Sequence, residues 1–384
     1  MKIAPLIKAL RRPEAYPHPV GEVEVRQTHI SAVFLAGPFV YKVKKPVDLG
    51  FLDFTTLERR LHFCREEVRL NRRLAPEVYL GVVTVREGEG GSLTVGQEPV
   101  GEGLETGGAP GEKGSAAIEY AVKMRRLPDG ATLEARLERG EEIVPVLERL
   151  GRRIAAFHRK AASGPRVARF GRLEVVAGNA RENLEQAKPH VGETVSEAVH
   201  GRLGRVLEAR LEELGGLIED RARRGVPRDT HGDLHLEHVY VLPDREPPGD
   251  LVVIDCIEFN ERFRYSDPIS DMAFLSMDLL FHGRPALERV FSGAYGDASD
   301  DGEGMALLPF YRSYRAAVRG KVEGMVTEEE EVPVDERRRA VGRARGHWLL
   351  ALSELEAPGD RPALVLVGGL PGTGKSTLAE ALAR

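Results

Sequence analysis

Residues His231–His238 read HGDLHLEH, and the apolar run DLVVIDCIEF follows at 250–259. The first stretch is polar and crowded with ionisable groups: His231, Asp233, His235, Glu237 and His238. The run HVYVLP starts on its last residue, and a Pro/Gly turn separates the two apolar runs, so they read as a small hairpin. Asp233 then stands before the hairpin and Asp255 at its far end, 22 residues on (255 − 233). Two separate carboxylates placed this way suit phosphoryl transfer. One can accept the proton of an attacking hydroxyl, while the other anchors a cation that bridges phosphate oxygens. Two other readings compete: a polar turn, and a phosphoesterase-type metal site using the clustered His, Asp and Glu. No early D-x-H partner supports the second.

Working outward toward the N-terminus, residues 22–45 alternate apolar and polar and are broken at Ala36-Gly37-Pro38, which predicts a β-meander. A helix follows over 53–76, started by a capping box of Thr55 with Glu58 and ended before Pro76. Glu67 falls on the apolar face of that helix, with Phe63, Leu70 and Leu74. A buried acid there needs a partner. Lys42 and Lys44 share one face of their strand and Lys45 points the other way. Residues 78–86 and 117–124 read as strands, and the glycine-rich stretch between them reads as a hairpin insertion, since no strand–turn–helix context makes it a phosphate loop.

From Thr132 the pattern is mostly helical. An amphipathic helix is expected over 144–162, further helices through about 180–224, and helix again from Asp267 to about 356. The expected architecture is α+β and two-lobed: a β-rich part with one helix over 1–125, then a helical part over 126–357 that carries the hairpin. The helical segment 165–224 is expected to form much of an acceptor pocket.

Composition narrows the class. The 384 residues are 42% hydrophobic and 30% charged, as in a water-soluble globular chain. A formal net charge of -5 argues against a nucleic-acid partner, which would need a basic surface. No apolar run of transmembrane length and no signal segment is present, so a cytoplasmic protein without a membrane partner is expected. Cys64 and Cys256 are too few for a disulfide framework or a zinc cluster and read as small buried thiols.

A second motif lies at 358–384. Residues 363–384 read ALVLVGGLPGTGKSTLAEALAR, where Gly369, Gly372, Gly374, Lys375 and Ser376, with Thr377, fit G-x-x-x-x-G-K-[ST] between a strand and a helix. Backbone N–H groups would cradle phosphates, Lys375 would reach the outer ones and Ser376 a Mg²⁺ ion. The sequence ends eight residues later (384 − 376), so a truncated P-loop fragment is expected.

HGDLHLEH resembles the H-R-D-L-x-x-x-N catalytic loop of kinases. With VYKVKKPVDLGFLDFTTLERR, EEVRLNRRLAPEVYLGV, YAVKMRRLP, VIDCIEFNERFRYSDPISDMAFLSMDL and FYRSYRAAVRGKV, the chain resembles the aminoglycoside phosphotransferase-like family of kinase-fold enzymes. It looks closest to a bacterial subgroup fused to a C-terminal ATP-binding P-loop domain. The resemblance covers most of 30–325. It implies ATP, Mg²⁺ and a small-molecule acceptor. Asp233 would be the catalytic base and Asp255 the metal ligand, with His238 where the pattern has Asn. Lys42 is preferred as the phosphate-holding lysine because apolar Val40 precedes it, with Lys44 second and Glu67 as partner. Met124 to Leu127 would lie beside adenine, and Asp267 and Asp271 would buttress the site. Imidazole is a poorer Mg²⁺ ligand than oxygen, which implies either tolerance for Mn²⁺ or a nucleotide-binding pseudokinase that regulates the P-loop domain.

Overall fold

The structure, a computed structural model, describes residues 3–88, 92–97, 116–328, 332–357, 359, 367–370 and 372–382. The N-terminal part is a six-stranded sheet in the order β1-β2-β3-β6-β4-β5. Its strands are β1 Val23–Gln27, β2 Ser31–Ala36, β3 Phe39–Lys44, β4 Tyr79–Glu87, β5 Leu93–Val95 and β6 Ala117–Arg125. Every neighbouring pair is antiparallel. The meander expected over 22–45 is β1 to β3, with Gly37 at φ +58° making the second turn.

Period-two alternation sorts the sheet faces. Tyr41 and Val43 join Leu6 and Leu10 of a short first helix, α1 Ile3–Leu10, in one buried cluster. That helix is an addition to the single N-terminal helix expected from the sequence. On the other face, Val82, Tyr120, Val122 and Met124 pack with Leu61, Cys64 and Val68 of α2 Leu57–Asn71. Lys42 and Lys44 lie on this second face.

The start of α2 differs from expectation by one residue. Thr56, not Thr55, is the N-cap, its Oγ1 accepting from Arg59 N. Thr55 is already engaged, because Asp53 Oδ1 accepts from its N–H at 2.9 Å and its hydroxyl at 2.6 Å. The capping box with Glu58 is therefore not formed.

The remaining chain is mainly helical: α3 Leu133–Glu138, α4 Val144–Lys160, α5 Pro165–Ala168, α6 Leu173–Ala187 and α7 Glu197–Arg223 precede the hairpin. After it come α8 Glu261–Arg264, α9 Pro268–Phe281, α10 Pro285–Ser299, α11 Gly302–Met305, α12 Leu308–Val326 and α13 Val334–Leu355. Helix α9 is buried on nearly all sides, which its apolar sequence allows, and α10 and α12 pack against it. Gly151 lets α4 press on α10: an added Cβ would sit 2.8 Å from Phe291 O. Two short strand pairs complete the fold. β7 Arg228–Asp229 pairs with β10 Tyr265–Ser266, and β8 Val239–Val241 with β9 Leu251–Val253, the hairpin read from the sequence. No helix among the described residues is long and apolar enough to cross a membrane.

Candidate active site

The loop 229–238 is held from beneath by α9. Both oxygens of the fully buried Asp271 carboxylate accept backbone N–H groups: Oδ2 from His231 at 3.0 Å and Oδ1 from Gly232 at 2.7 Å. His158 of α4 adds a third contact, Nε2 to Oδ2 at 3.0 Å, and its Nδ1 meets the Tyr295 hydroxyl at 2.9 Å. Burial alone would raise the Asp271 pKa, but the His158 hydrogen bond and neighbouring positive charge hold it below the usual carboxylate range. Gly232 has φ +87°, and a Cβ there would come within 3.0 Å of Phe263 O, so the turn calls for glycine. Arg315 of α12 closes the cradle by donating to Gly232 O and Ser270 O. Asp267 sits one turn before Asp271; it caps α9 through Ile269 N and pairs with buried Arg221 of α7.

Leu234 and Leu236 anchor the loop in the core, and Asp233, immediately before them, points outward, its side chain 30% exposed. Its Oδ2 lies 3.4 Å from His235 Nε2 and 3.6 Å from His238 Nδ1. Burial would raise its pKa; His235 and His238 overcome that and keep the carboxyl ionised well into acid. A group so poised can accept a proton only transiently, as a base assisting an attacking hydroxyl does.

Asp255 leaves the end of β9 in the left-handed region, φ +63°, uncommon for a residue other than glycine. The loop is pinned there by α2 and β4: Asp255 N donates to the Tyr79 hydroxyl at 3.1 Å and Cys256 N to Asn71 Oδ1 at 2.9 Å. Asp255 Oδ1 consequently meets Lys42 Nζ at 2.6 Å. Lys42 also reaches Glu67 Oε1 at 3.0 Å, so sheet, helix and hairpin loop converge on one ammonium. The other Glu67 oxygen takes Lys44 Nζ at 2.7 Å, and Lys44 is also paired with Glu258. The acid on the apolar face of α2 thus has two lysine partners. Lys44 is fully buried, whereas Lys42 is 14% exposed and faces a cavity.

That cavity, about 820 Å³, is walled by Val40, Met124, Leu127, Tyr240 and Ile254, with Lys42 and Asp255 among its polar lining. Its size and its mix of apolar wall and convergent charge are those of a small-molecule pocket. Phe51, Phe259 and Met325 also line it.

The donor set for a cation is His238 and Asp255, with Nε2 and Oδ2 3.7 Å apart. His238 Nδ1 lies 2.9 Å from Asp233 O, a carbonyl that can only accept, so Nδ1 carries a hydrogen and Nε2 is the ring atom turned toward Asp255. An imidazole oriented by a backbone carbonyl in this way is the arrangement found in metal-binding histidines. The residues present therefore fit a divalent cation. A second combination, Asp233, His235 and His238, also brings three donor atoms within 4.8 Å of one another.

Sequence reasoning brought Asp233, His238, Asp255, Lys42, Lys44, Glu67 and Met124 to one region, and the structure gathers them. It passed over Glu258, Tyr79 and Asn71. Only Glu258 left a signal, as an acid three residues beyond Asp255 in an otherwise apolar run.

At the far end of the chain, Gly372 and Gly374 have φ of +81° and +79°, and α14 Lys375–Leu382 begins directly after them. Gly369 lies at φ +157°, and Lys375 Nζ folds back on Leu370 O at 2.6 Å. Ser376 and Thr377 are exposed in the first turn. Most of the strand expected before this turn, 363–366, lies outside the described residues, as do 89–91 and 98–115 of the glycine-rich insertion.

No family model matches the chain. It is similar to uncharacterized proteins of Mycobacterium tuberculosis and Mycobacterium bovis, each 34% identical over 369 residues that make up 95% of this chain. The matched region covers 66% of the length of those relatives. Among solved structures, a choline/ethanolamine kinase family protein from Mesorhizobium loti aligns with 92% of this chain and 99% of its own, at 13% identity and a TM-score of 0.47.

Proposed function

We propose that the chain is a kinase-like phosphotransferase that moves the γ-phosphoryl group of ATP to a hydroxyl of a small molecule. The observation that carries this reading is the convergence of Lys42, Glu67 and Asp255 at the charged end of a cavity, with Asp233 on the other side of His238. In this reading residues 1–125 and 126–357 are the two lobes. Met124 to Leu127 flank adenine, and Lys42, steadied by Glu67, exchanges Asp255 for phosphate oxygens. His238 and Asp255 would hold the divalent cation, whose charge would offset that of the phosphates. Asp233 orients the acceptor hydroxyl. As its oxygen bonds to the γ-phosphorus, the bond to the β–γ bridging oxygen breaks, ADP leaves with the electron pair, and the hydroxyl proton passes to Asp233. Gly369, Gly372, Gly374, Lys375, Ser376 and Thr377 are read as a phosphate cradle of a separate P-loop unit.

The test is a screen of hydroxylated metabolites with labelled ATP, repeated with Asp233→Asn. Turnover should drop by about 10²–10⁴-fold in the variant, with ATP affinity and the unfolding midpoint retained. His238 in the position of Asn supports a second reading, a nucleotide-binding pseudokinase. Metal-dependent ATP binding with no transfer to any acceptor, and none regained in His238→Asn, would favour it.

A further inference from the structure

We propose that the cation site formed by His238 Nε2 and Asp255 Oδ2 is built for a transition-metal ion, Mn²⁺ foremost, in preference to Mg²⁺. The inference deepens the phosphotransferase reading and rests on it for the nucleotide alone.

The two oxygens of Asp255 are divided. Oδ1 is taken by Lys42 at 2.6 Å, while Oδ2 faces His238 Nε2 at 3.7 Å. Because the Nδ1 hydrogen is committed to Asp233 O at 2.9 Å, Nε2 is the ring atom turned toward the carboxylate oxygen. A gap of 3.7 Å admits one cation at about 2.1–2.2 Å from each atom. The ring cannot easily swing aside, since it packs against the His235 ring, tilted by 34° with centroids 4.0 Å apart, and is tied to the loop backbone. Mg²⁺ favours an all-oxygen octahedron and gives up water reluctantly. An imidazole nitrogen moves preference toward first-row transition ions, and among these Mn²⁺ keeps the affinity for oxygen that phosphates require.

The experiment is electron-spin-echo spectroscopy of Mn²⁺ bound to the full chain carrying ¹⁵N-histidine, with β,γ-methylene-ATP present, together with Mg²⁺ competition followed by the Mn²⁺ resonance. Wild type should show one directly coordinated histidine nitrogen. His238→Asn and His238→Gln, both checked for a native unfolding midpoint, should show none. Their preference for Mn²⁺ over Mg²⁺ should fall by about tenfold or more. Absence of Mn²⁺ binding, bound Mn²⁺ without a histidine coupling, or coupling that persists in both variants would overturn the proposal. Two couplings would overturn it in favour of the Asp233, His235 and His238 combination. Mn²⁺ held by one histidine in a protein that neither binds the ATP analogue nor transfers phosphate would uphold the cation site and refute the phosphotransferase reading.

Discussion

Glu67 and Lys44 form an ion pair in the protein interior, Oε2 to Nζ 2.7 Å, with neither side chain in contact with solvent. Glu258 closes the group from the hairpin loop. Burial works against every charge in it; even so the lysine stays protonated, its pKa pushed up by the two acids, and Glu67 stays ionised. Lys44 thereby fixes the angle at which Glu67 presents its other oxygen to Lys42. Lys44→Met leaves two buried carboxylates facing each other and should cost about 3–5 kcal/mol in urea denaturation. Adding Glu258→Gln to that variant should restore part of the loss. A single variant as stable as wild type would show that the pair does not hold the sheet to the loop.

Lys42 behaves differently because it faces the cavity. When Lys42→Ala removes it, Glu67 keeps Lys44, so the fold should survive with a loss of no more than about 1–2 kcal/mol. Binding of a fluorescent ATP analogue should weaken by at least about tenfold, which corresponds to about 1.4 kcal/mol. Unchanged binding would remove Lys42 from the phosphate site.

The contrast between these lysines marks where the sequence stops being informative. Period-two alternation put Lys42 and Lys44 on one face, and the helical period put Glu67 on the apolar side of α2. Their meeting could therefore be anticipated; Lys42, preferred over Lys44 for the phosphates because apolar Val40 precedes it, lines the cavity, while Lys44 is buried. The role of Glu258 could not be anticipated. It meets Lys44 across 214 residues of chain, and nothing local separates a buried acid from a solvated one. Tyr79 and Asn71 left no signal at all, because what they do depends on backbone N–H groups of a loop in a left-handed conformation. The shift of the helix cap from Thr55 to Thr56 has the same origin, a local competitor, Asp53, that a pattern of letters does not rank.

Asp271 is a positioning residue for the loop that carries Asp233. Asp271→Asn keeps the shape but can satisfy only one of the two backbone N–H groups of His231 and Gly232 with an acceptor. The other is left buried and unpaired at about 1–3 kcal/mol. Looser placement of Asp233 should lower kcat by about tenfold or more while KM for ATP changes little, since Lys42 and Asp255 are held by other elements. A parallel rise in KM would mean that Asp271 supports the nucleotide side instead.

Acid sensitivity should arise at a distance from this site, at His347. The ring is buried in α13, stacked on Phe281 at 3.7 Å, and its Nδ1 donates to Arg343 O. Burial, then the charges of Arg319 and Arg343, push its pKa down from 6.5 to about 3. Glu323 lies 3.7 Å from Nδ1 but is shared with Arg343, and His282 adds to the positive side. A depressed folded-state pKa means that the unfolded chain takes up the proton first. The contribution is complete above about pH 6.5 and declines as the pH falls toward 3, reaching a loss of about 2 kcal/mol near pH 5. His231, pushed down to about 4 chiefly by burial, acts in the same direction, so the wild-type slope contains both. His347→Gln can retain the donor to Arg343 O while removing one titrating group. Urea midpoints at about pH 7 and pH 5 should therefore differ less in this variant than in wild type, by roughly the His347 share. An identical difference in the two proteins would show that His347 already exchanges its proton in the folded state at its ordinary pKa.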